Sequence, residues 1–103
     1  MKAVKVSYTV KQEFSQKNQE NIKAFLDEVK AIGDPHLRYF VFLGEDGKTF
    51  THLSVYKSEE AQKTFLALPV FQSFQRQRDE SGLEKEPSIA SISLVGASHN
   101  LFI

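Results

Sequence analysis

The sequence predicts an α+β domain with the element order β-α-β-β-α-β, on three observations. Apolar residues alternate with a period of two near both ends, two internal stretches carry apolar residues at helical spacing, and Asp46-Gly47 sits between two apolar runs. Right-handed crossovers turn that order into a ferredoxin-like sandwich, a four-stranded antiparallel sheet with helices on one face. At 103 residues the chain reads as one domain, residues 1–103.

The first strand is VKVSYTV at 4–10, with Val4, Val6, Tyr8 and Val10 on one side and Lys5, Ser7 and Thr9 on the other. Ser15 or Asn18 can cap the helix that follows, whose Ile22, Phe25, Leu26, Val29 and Ile32 form one stripe. Gly33 stops it and Pro35 forbids continuation. LRYFVFLG, EDGK and TFTHLSVYK then read as a hairpin with a two-residue turn of positive φ at Asp46-Gly47. In that register Val41 faces His52, Tyr39 faces Ser54 and Leu37 faces Tyr56; Arg38, Phe40, Phe42, Thr51, Leu53 and Val55 take the other face.

Ser58 is the N-cap of the second helix, with Glu59 and Glu60 at its positive end. Ala61, Thr64, Phe65 and Leu68 make its buried stripe. Pro69 splits that helix and opens a shorter one, on which Phe71, Phe74 and Arg78 share a side. RDESGLEKEP reads as a polar loop, SIASISLV as the last strand, and residues 96–103 as a tail.

Composition removes several function classes. Lys plus Arg and Asp plus Glu both number 13, and no basic run provides a footprint for nucleic acid. The chain has no Cys, which removes thiolate metal sites and cysteine nucleophiles. No apolar run approaches the ~18–20 residues of a membrane span. MKAVKVSYTVK has strand alternation rather than the apolar core of a signal peptide, so a cytoplasmic protein is expected. Three dispersed histidines without paired carboxylates give no metal signal.

Self-association is expected from the second strand. YFVFL, Tyr39 to Leu43, is apolar on both faces, whereas two helices cover only one face of the sheet. This strand also lies at the sheet edge, where apolar backbone invites pairing. A homodimer joined through the open face and edge meets both demands. The alternative is that NLFI folds back over that face and keeps a monomer.

The element order, and YKSEEAQKTFLALPVFQSF at 56–74 above all, resembles the antibiotic biosynthesis monooxygenase family of dimeric α+β barrels. The resemblance implies two ferredoxin-like sheets forming a barrel, helices outside, and one pocket per subunit between helices and sheet. The family's heme-degrading members use an Asn on the first strand, a Trp on the second helix and a heme-ligating His on the short helix. Here Ser7 and Thr9 stand near the first position, Phe65 at the second and Gln75 at the third. Gln is a poor iron ligand beside imidazole, so the resemblance implies a cofactor-free oxygenase of quinols or polyketide-derived phenols rather than heme degradation. In that chemistry an electron-rich phenolate or enolate itself passes an electron to dioxygen, within a dry, hydrogen-bonding pocket.

The candidate base or hydrogen-bond partner is His52, with Tyr39 and Tyr56 assisting; the competing account is a core or interface histidine bonded to a neighbour. Phe65, Phe71 and Phe74 are expected to wall a pocket for an aromatic ring, although aromatics at helical spacing also pack cores. Gln75 and Arg78 can orient a carbonyl or anionic oxygen, or sit solvated on the surface. No cofactor and no metal are expected; the partners expected are a second copy of the chain and a small aromatic molecule. Two alternatives stand beside the enzyme: a non-catalytic ligand-binding or stress-associated dimer of the same fold, and divergent heme binding through His52 or His36.

Overall fold

The computed structural model describes residues 1–102; the last residue of the tail, Ile103, lies outside the described residues. Strand β1 (Lys2–Thr9) leads through a short 3-10 turn into helix α1 (Ser15–Ile32), followed by β2 (Leu37–Leu43) and β3 (Thr49–Tyr56). Helices α2 (Glu59–Leu66) and α3 (Pro69–Glu80) then lead to β4 (Lys85–Ile92). The sheet order is β2-β3-β1-β4 with every neighbouring pair antiparallel, the ferredoxin-like arrangement expected. Pro69 at the first position of α3 is the break between the two helices.

The hairpin register is the expected one: Leu37 pairs with Tyr56, Tyr39 with Ser54 and Val41 with His52. Its turn is not. Gly47 is the position of positive φ, at 76°, and Asp46 keeps an ordinary backbone. Gly44 accepts from the Gly47 N–H, and the Asp46 carboxylate accepts from the amides of Lys48 and Thr49 and from the Thr49 hydroxyl. A longer loop closed by a side chain therefore replaces the two-residue turn, because Asp satisfies the local amides itself.

Two further boundaries differ from expectation. Neither Ser15 nor Asn18 caps α1: the N-cap is Phe14, Ser15 donates its hydroxyl to the Gly47 carbonyl, and Asn18 is fully buried. Strand β4 begins three residues early, since Glu84 donates its amide to Thr9 and Lys85 pairs with Thr9. It ends at Ile92, opposite Ala3, close to where β1 itself begins. KEP reads as loop because this edge strand is exposed on both faces, and edges tolerate Pro87.

The core lies between the helices and one sheet face, and it is largely aromatic. Phe25 of α1 stacks on Phe74 of α3 at 5.3 Å between centroids, while Phe65 of α2 meets Phe71 of α3 at 4.6 Å. Ile32 and Thr64, expected on buried stripes, are exposed: Ile32 is the last residue of α1, and on α2 the buried positions are Ala61 and Phe65. On the opposite sheet face, Arg38, Val55, Ala3 and Ile92 form one row, and the tail's Phe102 ring lies under the Arg38 guanidinium at 5.2 Å. The next rows of that face carry Phe40 and Phe42, which remain exposed.

Candidate functional site

The face of β2 and β3 that carries His52 is the one that meets the helices. His52 sits on an inner strand between Val6 and Val41 and is 3% exposed. Its Nε2 lies 2.7 Å from the Tyr8 hydroxyl of β1, and its Nδ1 lies 2.8 Å from the Tyr39 hydroxyl of β2. From α1, the Asn18 amide donates to the Tyr8 hydroxyl at 3.1 Å. Four side chains from four elements thus form one buried chain, Asn18–Tyr8–His52–Tyr39.

Arg78 of α3 closes the arrangement. Its guanidinium carbon stands 4.9 Å over the Tyr8 ring, and its Nε donates to Asp79 at 3.0 Å. Burial and the nearby guanidinium hold His52 down to about 3, so the imidazole is neutral. Burial pushes Tyr8 up to about 12, partly opposed by the Asn18 hydrogen bond and by Arg78. Burial likewise raises Tyr39 well above the usual phenol, with Tyr56 and Tyr8 adding to the effect. Both phenols and the histidine are therefore uncharged near neutral pH, and the charges beside them are Arg78 and its more exposed partner Asp79.

A cavity of about 120 Å³ opens against this chain, lined by Tyr39, His52, Phe71, Phe74, Gln75 and Arg78, with Val6, Pro87 and Ile89 completing the wall. A wider cleft of about 570 Å³ lies at the end of α1 beside Gly33, Pro35 and Arg38. Tyr39 borders both, but the remaining polar groups of the wider cleft are surface charges such as Asp27 and Lys30. The smaller cavity is the one with buried, hydrogen-bonded chemistry.

The structure thus brings together His52, Tyr39, Phe71, Phe74, Gln75 and Arg78. Tyr56 and Phe65 stand apart from that lining. Phe65 is enclosed by Phe25, Tyr39, Tyr56 and Phe71, so it supports the cavity from behind rather than walling it. Tyr56, four residues beyond His52 along β3, packs on Phe65, and burial raises its pKa. Tyr8 occupies the place expected for Tyr56 as the second phenol on the imidazole.

Tyr8 and Asn18 were missed by the sequence reading. Asn18 did leave a signal: it lies four residues before Ile22 and seven before Phe25, a polar residue on an apolar stripe. Tyr8 was placed on the correct strand face but counted only as apolar. His36 is exposed at the start of β2, and His99 lies in the tail against Ser98. Among the described residues, no group of three or more His, Cys, Asp or Glu comes together as a metal site. No described helix is long and apolar enough to cross a membrane. His52 does not fit a heme ligand, since both its ring nitrogens are already bonded to tyrosine hydroxyls, and Gln75 offers no imidazole.

A family model described as antibiotic biosynthesis monooxygenase matches residues 1–77. Among solved structures, an antibiotic biosynthesis monooxygenase superposes with a TM-score of 0.80 at 12% identity, covering 93% of this chain and 100% of its own. A conserved protein from Methanosarcina mazei gives 0.73 at 22% identity, with 89% and 92% covered. A protein from Pseudomonas aeruginosa gives 0.75 at 13% identity, with 92% and 94% covered. At such identities the likeness is one of fold. A search of curated proteins finds no match.

Proposed function

The chain belongs to the antibiotic biosynthesis monooxygenase family, and from that membership we propose that it is a small cofactor-independent monooxygenase of an aromatic quinol or polyketide-like phenol. The observation that carries this reading is the pairing of one buried cation, Arg78, with two Phe rings and the neutral Tyr39–His52 pair in a single cavity. An aromatic ring packs on Phe71 and Phe74, and its phenolic oxygen takes the guanidinium. That charge favours the phenolate of the substrate. The phenolate directs electron density to a ring carbon, which gives electrons to dioxygen.

For a naphthoquinol such as menadiol, one oxygen atom becomes a new ring hydroxyl and the other leaves as water, while the quinol becomes a quinone. Atoms and electrons then balance with no external reductant. His52, held neutral, serves as a hydrogen-bonding centre rather than as a base that stores a proton. Of the two roles expected of it from sequence, base and hydrogen-bond partner, burial favours the second.

The same reading has the chain as a homodimer. What supports it is the exposed apolar face of the sheet, where Phe42 is 57% and Phe40 39% exposed and Phe102 covers only the Arg38 end. A partner packed there would also put a second layer behind β2.

A second reading rests on the size of the cavity. At about 120 Å³ it falls below the ~150 Å³ that an enclosed cavity offers a single benzene ring, which favours a non-catalytic barrel of the same fold. Oxygen uptake with menadiol decides between them, measured against spontaneous oxidation. The enzyme reading expects uptake well above the blank, falling at least tenfold in Arg78→Gln with circular dichroism unchanged. Wild-type uptake equal to the blank establishes the second reading instead.

A further inference from the structure

We infer that Asn18, remote from the cavity, sets the direction of the buried hydrogen-bond chain so that Tyr39 presents its O–H to the oxygen of a bound substrate. The inference rests on the proposed function only for the identity of that acceptor. The direction follows from counting protons along the chain.

Asn18 turns its amide nitrogen, which can only donate, toward the Tyr8 oxygen. Tyr8 accepts there, so its single proton goes to its other partner, His52 Nε2, at 2.7 Å. Nε2 must then be the unprotonated nitrogen of a neutral ring. The ring's proton is therefore on Nδ1, and Nδ1–H donates to the Tyr39 oxygen at 2.8 Å. Among the described residues, His52 is the one side chain bonded to the Tyr39 hydroxyl. Having accepted from His52, Tyr39 keeps its own proton free, and Tyr39 borders the cavity.

The opposite direction can be written but conflicts with the amide. It would have Tyr39 donate to Nδ1 and Nε2–H donate to Tyr8, and the Tyr8 proton would meet the Asn18 N–H head on. The orientation leaves the Asn18 Oδ1 buried without a partner, one unpaired acceptor that the amide accepts in order to donate to Tyr8. Asn18 is thus a positioning residue, acting through Tyr8 and His52. Tyr39 is the group that touches substrate. With Arg78 supplying charge and Tyr39 a proton donor, the cavity suits a phenolate or carbonyl oxygen, an acceptor in either form, rather than an amine or other donor.

The test reads the tautomer of His52 directly, without substrate, by long-range proton–nitrogen correlation on protein labelled in histidine. The His52 signals are identified by their loss in His52→Gln. The expected result is a neutral ring protonated at Nδ1. A ring protonated at Nε2, or at both nitrogens near neutral pH, overturns the inference. In Asn18→Asp, at a pH where the carboxylate is ionised and can only accept, Tyr8 must reverse and His52 must become the Nε2–H tautomer. A folded variant that keeps Nδ1–H removes Asn18 from the role, and the wild-type tautomer decides the direction if the variant fails to fold.

Menadione then serves as the acceptor probe. Its affinity should fall roughly five-fold in Tyr39→Phe, the loss of one ordinary hydrogen bond. An unchanged affinity, with binding to the cavity shown by competition, overturns the donor role of Tyr39. Because the tautomer and the menadione affinity need no turnover, both results stand even if the protein proves not to be an oxygenase.

Discussion

Replacing His52 by Gln should flatten the acid side of the stability profile, by an amount the structure fixes. In the unfolded chain an imidazole takes up a proton near pH ~6.5, whereas burial and Arg78 hold the folded one down to about 3. Between those values the unfolded state binds a proton that the folded state does not. Stability therefore falls as pH falls through that window, at about 1.4 kcal/mol per pH unit once below the upper limit. Integrated from pH 7 to pH 5, the loss comes to about 2 kcal/mol, and pH 5 lies above the range in which most carboxylates titrate. Gln can donate to one tyrosine and accept from the other but does not titrate, so the variant should lack this loss. Urea unfolding at the two pH values, followed by circular dichroism and tyrosine emission, gives the four free energies required. The readout is the difference between the two pH values, whatever the absolute stability of the variant. Equal differences in the two proteins would show that folded His52 takes up a proton normally, and the neutral hydrogen-bonding centre would be refuted.

Three other outcomes follow from single contacts. Tyr8→Phe strips His52 Nε2 and the Asn18 amide of their shared partner in a buried setting, and should cost about 1–3 kcal/mol in urea unfolding. Gly33→Ala has room for its methyl, the nearest atom being the Lys30 carbonyl at 3.9 Å, but φ is 68°; about 1 kcal/mol of backbone strain should lower the melting temperature by roughly 4–8 °C. Phe42→Glu puts a charge on the proposed dimer face at an exposed position. Light scattering should show the mass fall from twice 11.7 kDa to that value, with stability of the subunit little changed.

The fold was legible because its signals are local. Tyr39, Val41, His52 and Ser54 alternate on facing strands, and centring the hairpin on Asp46-Gly47 gives the register found. Ser58 at its cap and Pro69 at its break mark α2 and α3 in the same way, the Ser58 hydroxyl accepting from the Ala61 amide. Where a boundary depended on another element, the reading slipped. Strand β4 is placed by its pairing with β1, and its polar start carries no strand signal of its own. The turn went astray because Asp46 closes it through its side chain.

The site was half legible, for a related reason. His52 and Tyr39 share a hairpin, so one register places them together. Tyr8 reaches His52 across 44 residues and Asn18 reaches Tyr8 from a helix, which no spacing rule relates. Phe65 and Phe71 look alike in a helical pattern, and only packing separates the enclosed ring from the one on the cavity. The depressed pKa of His52 is likewise a property of burial, invisible in a strand that alternates regularly.

The central claim is that the cavity beside Arg78 inserts oxygen into an aromatic ring without a cofactor. Incubating the protein with menadiol under isotopically heavy dioxygen, and weighing the products by mass spectrometry, tests it most directly. The account predicts a hydroxynaphthoquinone carrying one heavy oxygen atom, formed faster than in the blank and suppressed in Arg78→Gln. Menadione alone, unlabelled and formed at the blank rate, would contradict it.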